Sequence, residues 1–390
     1  MKLRNAIEPL LAGLLIPLLP LRWVIQLLLG GRAYSVWCGA PIITMAHNAS
    51  VERLLGVRAV SLVTHTYYIT QAFDIDVSKW VQRPLLRYAA SWLALAGVFL
   101  FAKRIHTYFD GGILPALERF QFNRHELFIY RLARLEHFVW TYGADVRVRK
   151  ITQIMGEPNC CSECDDIGKH CICATDAAEA NMRQVMKGAV AAFTMGDMME
   201  YVPGSTPGLF FWPIDLKDGW AQQEPIYPPR DSARPLRVVH APNHRQFKGT
   251  RHIELAVAQL RSEKISIELV LVEKMSNEEA LKVYQSADLV IDQVLIGFHG
   301  YFALEAMALG KPVMCFIRDR QRYLLNPDAC PIIDVRLESL ADTLRTWACA
   351  DRETLHERGR ASRRYIEENF SKDAFASRLS SAYRNLGIAA

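Results

Sequence analysis

The stretch Asp292 to Val313, DQVLIGFHGYFALEAMALGKPV, holds the residues whose types and spacing most directly suggest chemistry. Gly300 falls where a loop meets a helix predicted to begin near Tyr301. Backbone N–H groups there point outward with the positive end of the helix dipole, and a diphosphate can dock on them. Glu305 falls one turn later, placed to accept hydrogen bonds from a sugar hydroxyl, while Ala306, Met307 and Leu309 face a core. Taken alone, such a glutamate fits a solvated helix face equally well. A second constellation, His240-Ala-Pro-Asn-His-Arg-Gln-Phe-Lys-Gly249, follows an apolar strand. Arg245 would give a diphosphate a bidentate grip and Lys248 a point charge; the plainer alternative is a pair of solvated loop cations.

Other candidates lie in the N-terminal half. His47, Asn48, His106, Asp110 and Asp145 are candidates for substrate contact or proton handling, and Asp145 beside Arg147 suggests an oriented carboxylate. Turn or strand-end capping is the competing role for each. Cys160, Cys161, Cys164, Cys171 and Cys173 gather within one short segment, with His170 as an alternative ligand. Thiolates so grouped suit tetrahedral structural zinc. Cys161 to Cys164 is one Cys-x-x-Cys unit but Cys171-x-Cys173 is tighter, so an iron–sulfur or redox role, or unligated reduced thiols, stay open as alternatives.

These residues need elements to hold them. In the C-terminal half, apolar runs at Arg237–Ala241, Ile267–Val272, Leu289–Asp292 and Val313–Ile317 read as buried strands. Helical spacing over Thr250–Leu260, a capping box at Ser276–Glu279 and the run Tyr301–Leu309 alternate with them. Such alternation predicts an α/β fold with a doubly wound parallel sheet, its ligands beyond the carboxyl ends of the strands. From Leu337 on, three amphipathic helices are predicted. Pro213, Pro225, Pro228, Pro229 and Pro235 mark a linker. In the N-terminal half, Ala40–Thr44, Ile105–Phe109 and His137–Trp140 read as strands, followed by loops at His47-Asn48, Asp110–Gly112 and Tyr142–Asp145.

The run Leu304-Glu-Ala-Met-Ala-Leu-Gly-Lys-Pro-Val313 resembles the LEAMAxGxPV signature of retaining GT-B glycosyltransferases, in the large family of bacterial polysaccharide and lipopolysaccharide transferases. The resemblance runs from about Arg237 to Tyr383 and reaches the N-terminal half only in outline. It implies a GT-B fold of two Rossmann-like domains facing a cleft, braced by terminal helices. The boundaries it suggests are an apolar segment 1–30, an acceptor-side domain 31–212, a linker 213–235 and a nucleotide-sugar domain 236–390. It places Glu305, as the second glutamate of an E-x7-E motif, on the donor ribose. The first glutamate falls at Gly297, so that Asp292, His299 or a neighbouring main-chain group would stand in; Gly300 and Tyr301 complete the donor set. Lys248-Gly249 matches the family's R…KG loop, whereas the arginine position is Asn243 and Arg245 would substitute. The implied activity is transfer of a sugar, with retention, from a UDP- or GDP-linked donor to a lipid-linked or polysaccharide acceptor. Lys248 and Arg245 would neutralise the leaving diphosphate without a cofactor or catalytic metal, and the donor phosphate could take the acceptor proton. A GT-B-fold nucleotide-sugar epimerase and a catalytically silent scaffold are the competing classes.

The 390 residues suffice for two domains. The net charge of +5 divides unequally, about +9 over residues 1–150 and −4 over the remainder. A basic half suits an anionic membrane surface; the chain has neither zinc-finger spacing nor a stacked-aromatic RNA signature, which argues against nucleic acid. Leu10–Leu29 and Tyr88–Ala102 are strongly apolar. Pro17, Pro20 and Arg22 argue against an uninterrupted spanning helix in the first, and no cleavage site cleanly follows Lys2 and Arg4. The second reads either as a buried helix or as an interfacial segment dipping into a bilayer. The scattered cysteines give no disulfide framework. The expected location is cytoplasmic, peripheral on the inner face of the cytoplasmic membrane.

Overall fold

The computed structural model describes residues 2–66, 73–81, 83–116, 120–169, 171–217, 219–230 and 234–388. The chain divides into two compact units, Met1–Lys150 with Ile167–Phe211 and Ala376–Ala390, and Ile151–Asp166 with Trp212–Phe375. The proline-rich stretch 213–235 thus belongs to the second unit, and the end of the helix Lys372–Asn385 to the first.

The first unit is built on a parallel sheet of β1 (Tyr34–Cys38), β2 (Ala59–Val63), β3 (Ile75–Asp76), β4 (Ala102–Tyr108), β5 (Glu136–Trp140), β6 (Ala191–Thr194) and β7 (Thr206–Pro207), in the order β3-β2-β1-β4-β5-β6-β7. The order reverses between β1 and β4. The loops leaving those two strands therefore part and open a crevice at their carboxyl ends. Gly39 enters it at φ +114°, and a Cβ there would stand 2.7 Å from the Gly111 carbonyl oxygen, so only glycine lets the two loops meet.

The strand expected at Ala40–Thr44 is a loop running into the helix Ile43–Leu54, and the strand lies earlier, at Tyr34–Cys38. Thr44, Met45, Asn48, Ala49, Val51 and Glu52 are buried, which is the spacing of one helix face. His47 and Asn48 accordingly sit within a helix rather than in a strand-end loop.

Glu52 on that helix ties the unit together. Its carboxylate accepts from Ser35 Oγ and Trp37 Nε1, both at 2.6 Å, from Arg104 at 3.0 Å and from Tyr383 Oη at 2.7 Å. Burial would push this carboxyl up, but His106, Arg104 and the hydrogen bonds outweigh it and hold it well below the carboxylate range.

The apolar N-terminal segment is helical over Lys2–Gly13 and Leu19–Leu29, with a 3-10 turn at Ile16–Leu18 around Pro17. Arg22 is buried and donates to the carbonyls of Ala133 and Ala102, each at 3.0 Å, and to that of Phe99. It thereby satisfies carbonyls left open at the end of the helix Pro84–Phe101. That helix packs Trp92, Leu95, Val98 and Phe99 inward yet exposes Leu85, Leu86, Leu93 and Phe101. Both segments are long and apolar enough to cross a membrane.

The second unit has a parallel sheet of β8 (Leu236–His240), β9 (Ile267–Leu271), β10 (Leu289–Ile291), β11 (Val313–Cys315) and β12 (Ile333–Asp334), ordered β12-β11-β10-β8-β9. Helices Thr250–Ser262, Asn277–Gln285 and Tyr301–Ala308 follow the expected alternation, and the Ser276–Glu279 capping box is formed at both ends. Helices Leu340–Ala348, Arg352–Asn369 and Lys372–Asn385 close the chain. Leu236, Val238, Ile253, Leu289, Ile291 and Met314 form the core, and Cys160 and Cys161 are packed into it.

Candidate functional site

In the second unit the sheet order reverses between β8 and β10, and the loops after those strands carry the residues singled out above. Lys248 closes the short helix Arg245–Lys248, and its ammonium reaches across to Asp292 just past β10, 2.7 Å from Oδ1. Asp292 Oδ2 accepts from the Gly300 N–H at 2.5 Å, at the start of the helix Tyr301–Ala308. A carboxylate thus rests on the positive end of a helix while a lysine neutralises its other oxygen. Burial alone would raise the Asp292 carboxyl; Lys248 and the Gly300 N–H outweigh it and hold it below its ordinary value. Behind this pair, His240 donates from Nδ1 to the Ile291 carbonyl at 2.8 Å and accepts from Thr250 Oγ1 at 2.9 Å. Burial drives its imidazole down to about 4, leaving it neutral.

His299 is neutral for the same reason, pushed by burial to about 4, and lies in tilted contact with Phe298. Tyr301 donates to the Pro213 carbonyl at 3.1 Å, and burial lifts its phenol well above the ordinary value. Glu305 is 7% exposed on the same helix, near enough to Tyr301 and Tyr284 for its charge to add to the rise of both phenols. Arg245 goes elsewhere: its guanidinium donates to Glu273 at 2.9 Å and pairs with Glu254.

The position of the absent first glutamate has a structural explanation. Gly297 adopts φ +96°, and a Cβ there would lie 3.0 Å from Cβ of Arg318. The Arg318 side chain is fixed by the carbonyls of Met155, at 3.0 Å, and Pro158, at 2.6 Å. A glutamate at 297 would need both a disfavoured backbone and the displacement of this arginine.

In the first unit a cavity of about 690 Å³ opens at the carboxyl ends of the strands, lined by Ala40, His65, Arg87, Asp110, Tyr142 and Lys169 among others. Asp110 accepts from Tyr142 Oη at 2.6 Å, and its other oxygen is buried without a hydrogen-bond partner among the described residues. Burial raises its carboxyl. Asp145 lies behind, accepting from the N–H groups of Tyr142 at 3.0 Å and Gly143 at 2.9 Å, and burial followed by the charge of Asp110 lifts it to about 7. The structure therefore brings two of the sequence candidates together as a carboxyl pair. Arg147 pairs with Asp197 at 2.9 Å rather than orienting Asp145.

His106, the third catalytic candidate, takes a different role. β4 continues to Tyr108, so His106 is fully buried within the sheet, stacked on Trp37 at 3.9 Å and accepting from Trp140 Nε1 at 3.0 Å. It belongs to the Glu52 network. Asn48 is buried as well, its Oδ1 without a partner among the described residues.

Sequence reasoning missed Glu126. It accepts from the N–H groups of Ile113 at 2.6 Å and Leu114 at 2.9 Å, shaping the loop that follows Asp110, and burial brings it to about 7. The spacing Asn123-x-x-Glu126, with Asn123 as the N-cap of the helix Arg124–Leu132, was the available signal.

The cysteine segment is divided between the units. Cys160, Cys161 and Cys164 belong to the second; Cys171 and Cys173, their sulfurs 3.0 Å apart, belong to the first. Among the described residues no three His, Cys, Asp or Glu side chains converge as a metal-holding group, and His170 lies outside the described residues. A further cavity, about 410 Å³, lies at the amino ends of β8, β10 and β11 beside Arg237, Ala287 and Lys311, far from the loops that carry the site.

No family model and no curated protein matches the sequence. Solved structures do. Sucrose-phosphate synthase from Thermosynechococcus elongatus aligns at 14% identity and a TM-score of 0.54, over 92% of this chain and 97% of that one. HepE from Anabaena in complex with UDP-glucose aligns at 9% identity and a TM-score of 0.55, over 90% of this chain and 99% of that one. The same protein in complex with UDP aligns at 11% identity and a TM-score of 0.52, with the same coverage. At such identities likeness speaks for architecture. With its two parallel-sheet α/β units, the chain has the GT-B fold.

Proposed function

We propose that this chain is a glycosyltransferase that takes a sugar from a UDP-linked donor and passes it to a lipid-linked or polysaccharide acceptor, with retention and without a catalytic metal. The observation that carries the reading is the Lys248–Asp292–Gly300 cluster at the switch point of the second sheet. A buried lysine and a helix start converge there, and an anion, at present the Asp292 carboxylate, already lies between them. A donor diphosphate would take up the same two partners, with Lys248 neutralising the charge that grows on the leaving phosphate. Glu305 on the same helix would accept from the ribose hydroxyls. UDP is favoured over GDP because HepE, similar in fold, is complexed with UDP and UDP-glucose. Asp110, which lines the cavity of the first unit and which burial raises, would be the carboxyl that receives an acceptor proton, if the donor phosphate does not take it.

Exposed Leu10, Leu14, Leu27, Leu28, Leu85 and Leu93 support a peripheral place on the inner face of the cytoplasmic membrane. No acidic residue occurs between Glu8 and Glu52 or between Asp76 and Asp110. Titration calorimetry with UDP and GDP tests the donor reading. UDP should bind, and Glu305→Ala should weaken it about tenfold or more, the loss of a charge-assisted hydrogen bond. If neither nucleotide binds the wild-type chain, the proposal fails in favour of a silent scaffold. Conversion of UDP-glucose to another UDP-sugar without an acceptor would favour an epimerase.

A further inference from the structure

A second cavity in the first unit, about 590 Å³, runs between the sheet and the helix Pro84–Phe101. Its walls include Val36, Leu62, Ile75, Ala94, Gly97 and Val98, and every residue that lines it is apolar or, in Tyr34, aromatic. The volume is that of a ligand pocket. Its position gives it a meaning, because the strand and helix that line it also line the polar cavity that holds Asp110. Side chains two apart on a strand share a face: on the β2 chain Val60 and Leu62 line the apolar groove and Thr64 lines the polar cavity. The helix repeats the sequence of surfaces, with Pro84, Arg87, Tyr88 and Ser91 on the polar cavity and Ala90, Ala94, Gly97 and Phe101 on the groove. From Ala90 to Phe101 the groove follows the helix for about 16 Å.

Charge follows the same gradient. Arg87, His65 and Lys169 stand at the polar end. At the far end, exposed Phe101 adjoins the groove, and Arg58 lies over the ring of Tyr34 at 5.8 Å.

We infer that the groove holds the hydrocarbon tail of a membrane-derived amphiphilic acceptor whose anionic or hydroxylated head lies in the polar cavity beside Asp110. The inference rests on the transferase reading and narrows its acceptor to a lipid. The polar end supplies Arg87, Lys169 and the Asp110 carboxyl for the head, and the groove removes the tail from water. Gly97 is the position that keeps the groove open, since a Cβ added there meets nothing within 4 Å. Larger residues at 97 therefore fill the space without disturbing the helix.

The test uses the full chain and cis-parinaric acid, a fluorescent long-chain carboxylate. The wild-type protein should bind it saturably at one site. Gly97→Leu, and independently Ala94→Leu, should weaken binding roughly tenfold, as expected when about two methylenes lose their burial. Leu28→Gln, on exposed surface outside the groove, should leave binding unchanged. Absence of a saturable site, or equal binding by the filled variants, overturns the inference; loss of the site in Leu28→Gln alone reassigns the lipid to the exposed helix and overturns it too. UDP calorimetry on the same variants separates the two readings. Gly97→Leu should bind UDP as the wild type does, and a wild-type chain that binds parinaric acid but no UDP would fail the transferase proposal, not the groove.

Discussion

Lys248 and Asp292 are both buried, and the lysine's charge helps to hold the Asp292 carboxyl in its ionised form. Asp110 and Asp145 are the opposite case, two carboxyls that burial pushes toward the neutral form, the charge of Asp110 adding to the rise of Asp145. Their pH signature follows from linkage. Asp145 titrates near 7 in the folded chain and near 4 when unfolded. Its protonation therefore stabilises the first unit below pH 4, and that stability is lost as pH rises through 7. Glu126, also brought to about 7 by burial, acts in the same direction. We expect Asp145→Asn to lower the first unit's melting temperature at pH 5, relative to that at pH 8, by several degrees against the wild type. Asparagine keeps an acceptor for the Tyr142 and Gly143 N–H groups. Differential scanning calorimetry at the two pH values measures this, and an undiminished difference in the variant would place the dependence elsewhere. Buried histidines oppose this trend in both units, His106 and His137 in the first and His240 and His299 in the second: burial lowers each, so their share of stability falls as pH drops below about 6.5.

At the scale of elements, the loop from β10 to the helix Tyr301–Ala308 decides what the donor side can contain. Arg318 fills the space beside Gly297, so the carboxylate that the E-x7-E pattern would place there is excluded by the backbone as well as by the sequence. Gly297→Glu should not supply a missing group. It should cost the second unit about 1–3 kcal/mol, the range for a non-glycine residue forced into such a conformation, and should lower UDP affinity by disturbing Gly300. Urea unfolding reads the first effect and calorimetry the second; a variant of unchanged stability with tighter UDP binding would show that the loop has room. In the first unit, Glu126 and Glu52 act through other groups. One shapes the loop after Asp110, and the other fixes β1, β4 and the final helix around His106.

For the whole molecule, the uneven charge and the exposed leucines make one prediction. Flotation with vesicles containing phosphatidylglycerol should carry the protein upward at low salt. Removal of anionic lipid should abolish most of that binding, and about 0.5 M salt, which shortens the screening length to a few ångström, should weaken it. Binding that ignores both lipid charge and salt would refute an electrostatic contribution, and no binding at all would refute membrane association.

Local signals determined much of this protein by sequence alone. The capping box at Ser276, the apolar runs of β8 to β11 and the glycine at 300 act within a few residues of themselves, so their elements and the Lys248-to-Glu305 stretch were legible. Contacts distant in sequence were not. That Lys248 meets Asp292, that Asp110 meets Tyr142, and that Arg245 turns to Glu254 and Glu273 depends on strand order. His106 shows the limit most clearly. Its type suggested proton handling, but within β4, inside the strand expected at Ile105–Phe109, its side chain is buried and stacked on Trp37. A residue's type is written in the chain, whereas its solvent and its neighbours, which set its charge and its role, exist only once the sheet has formed.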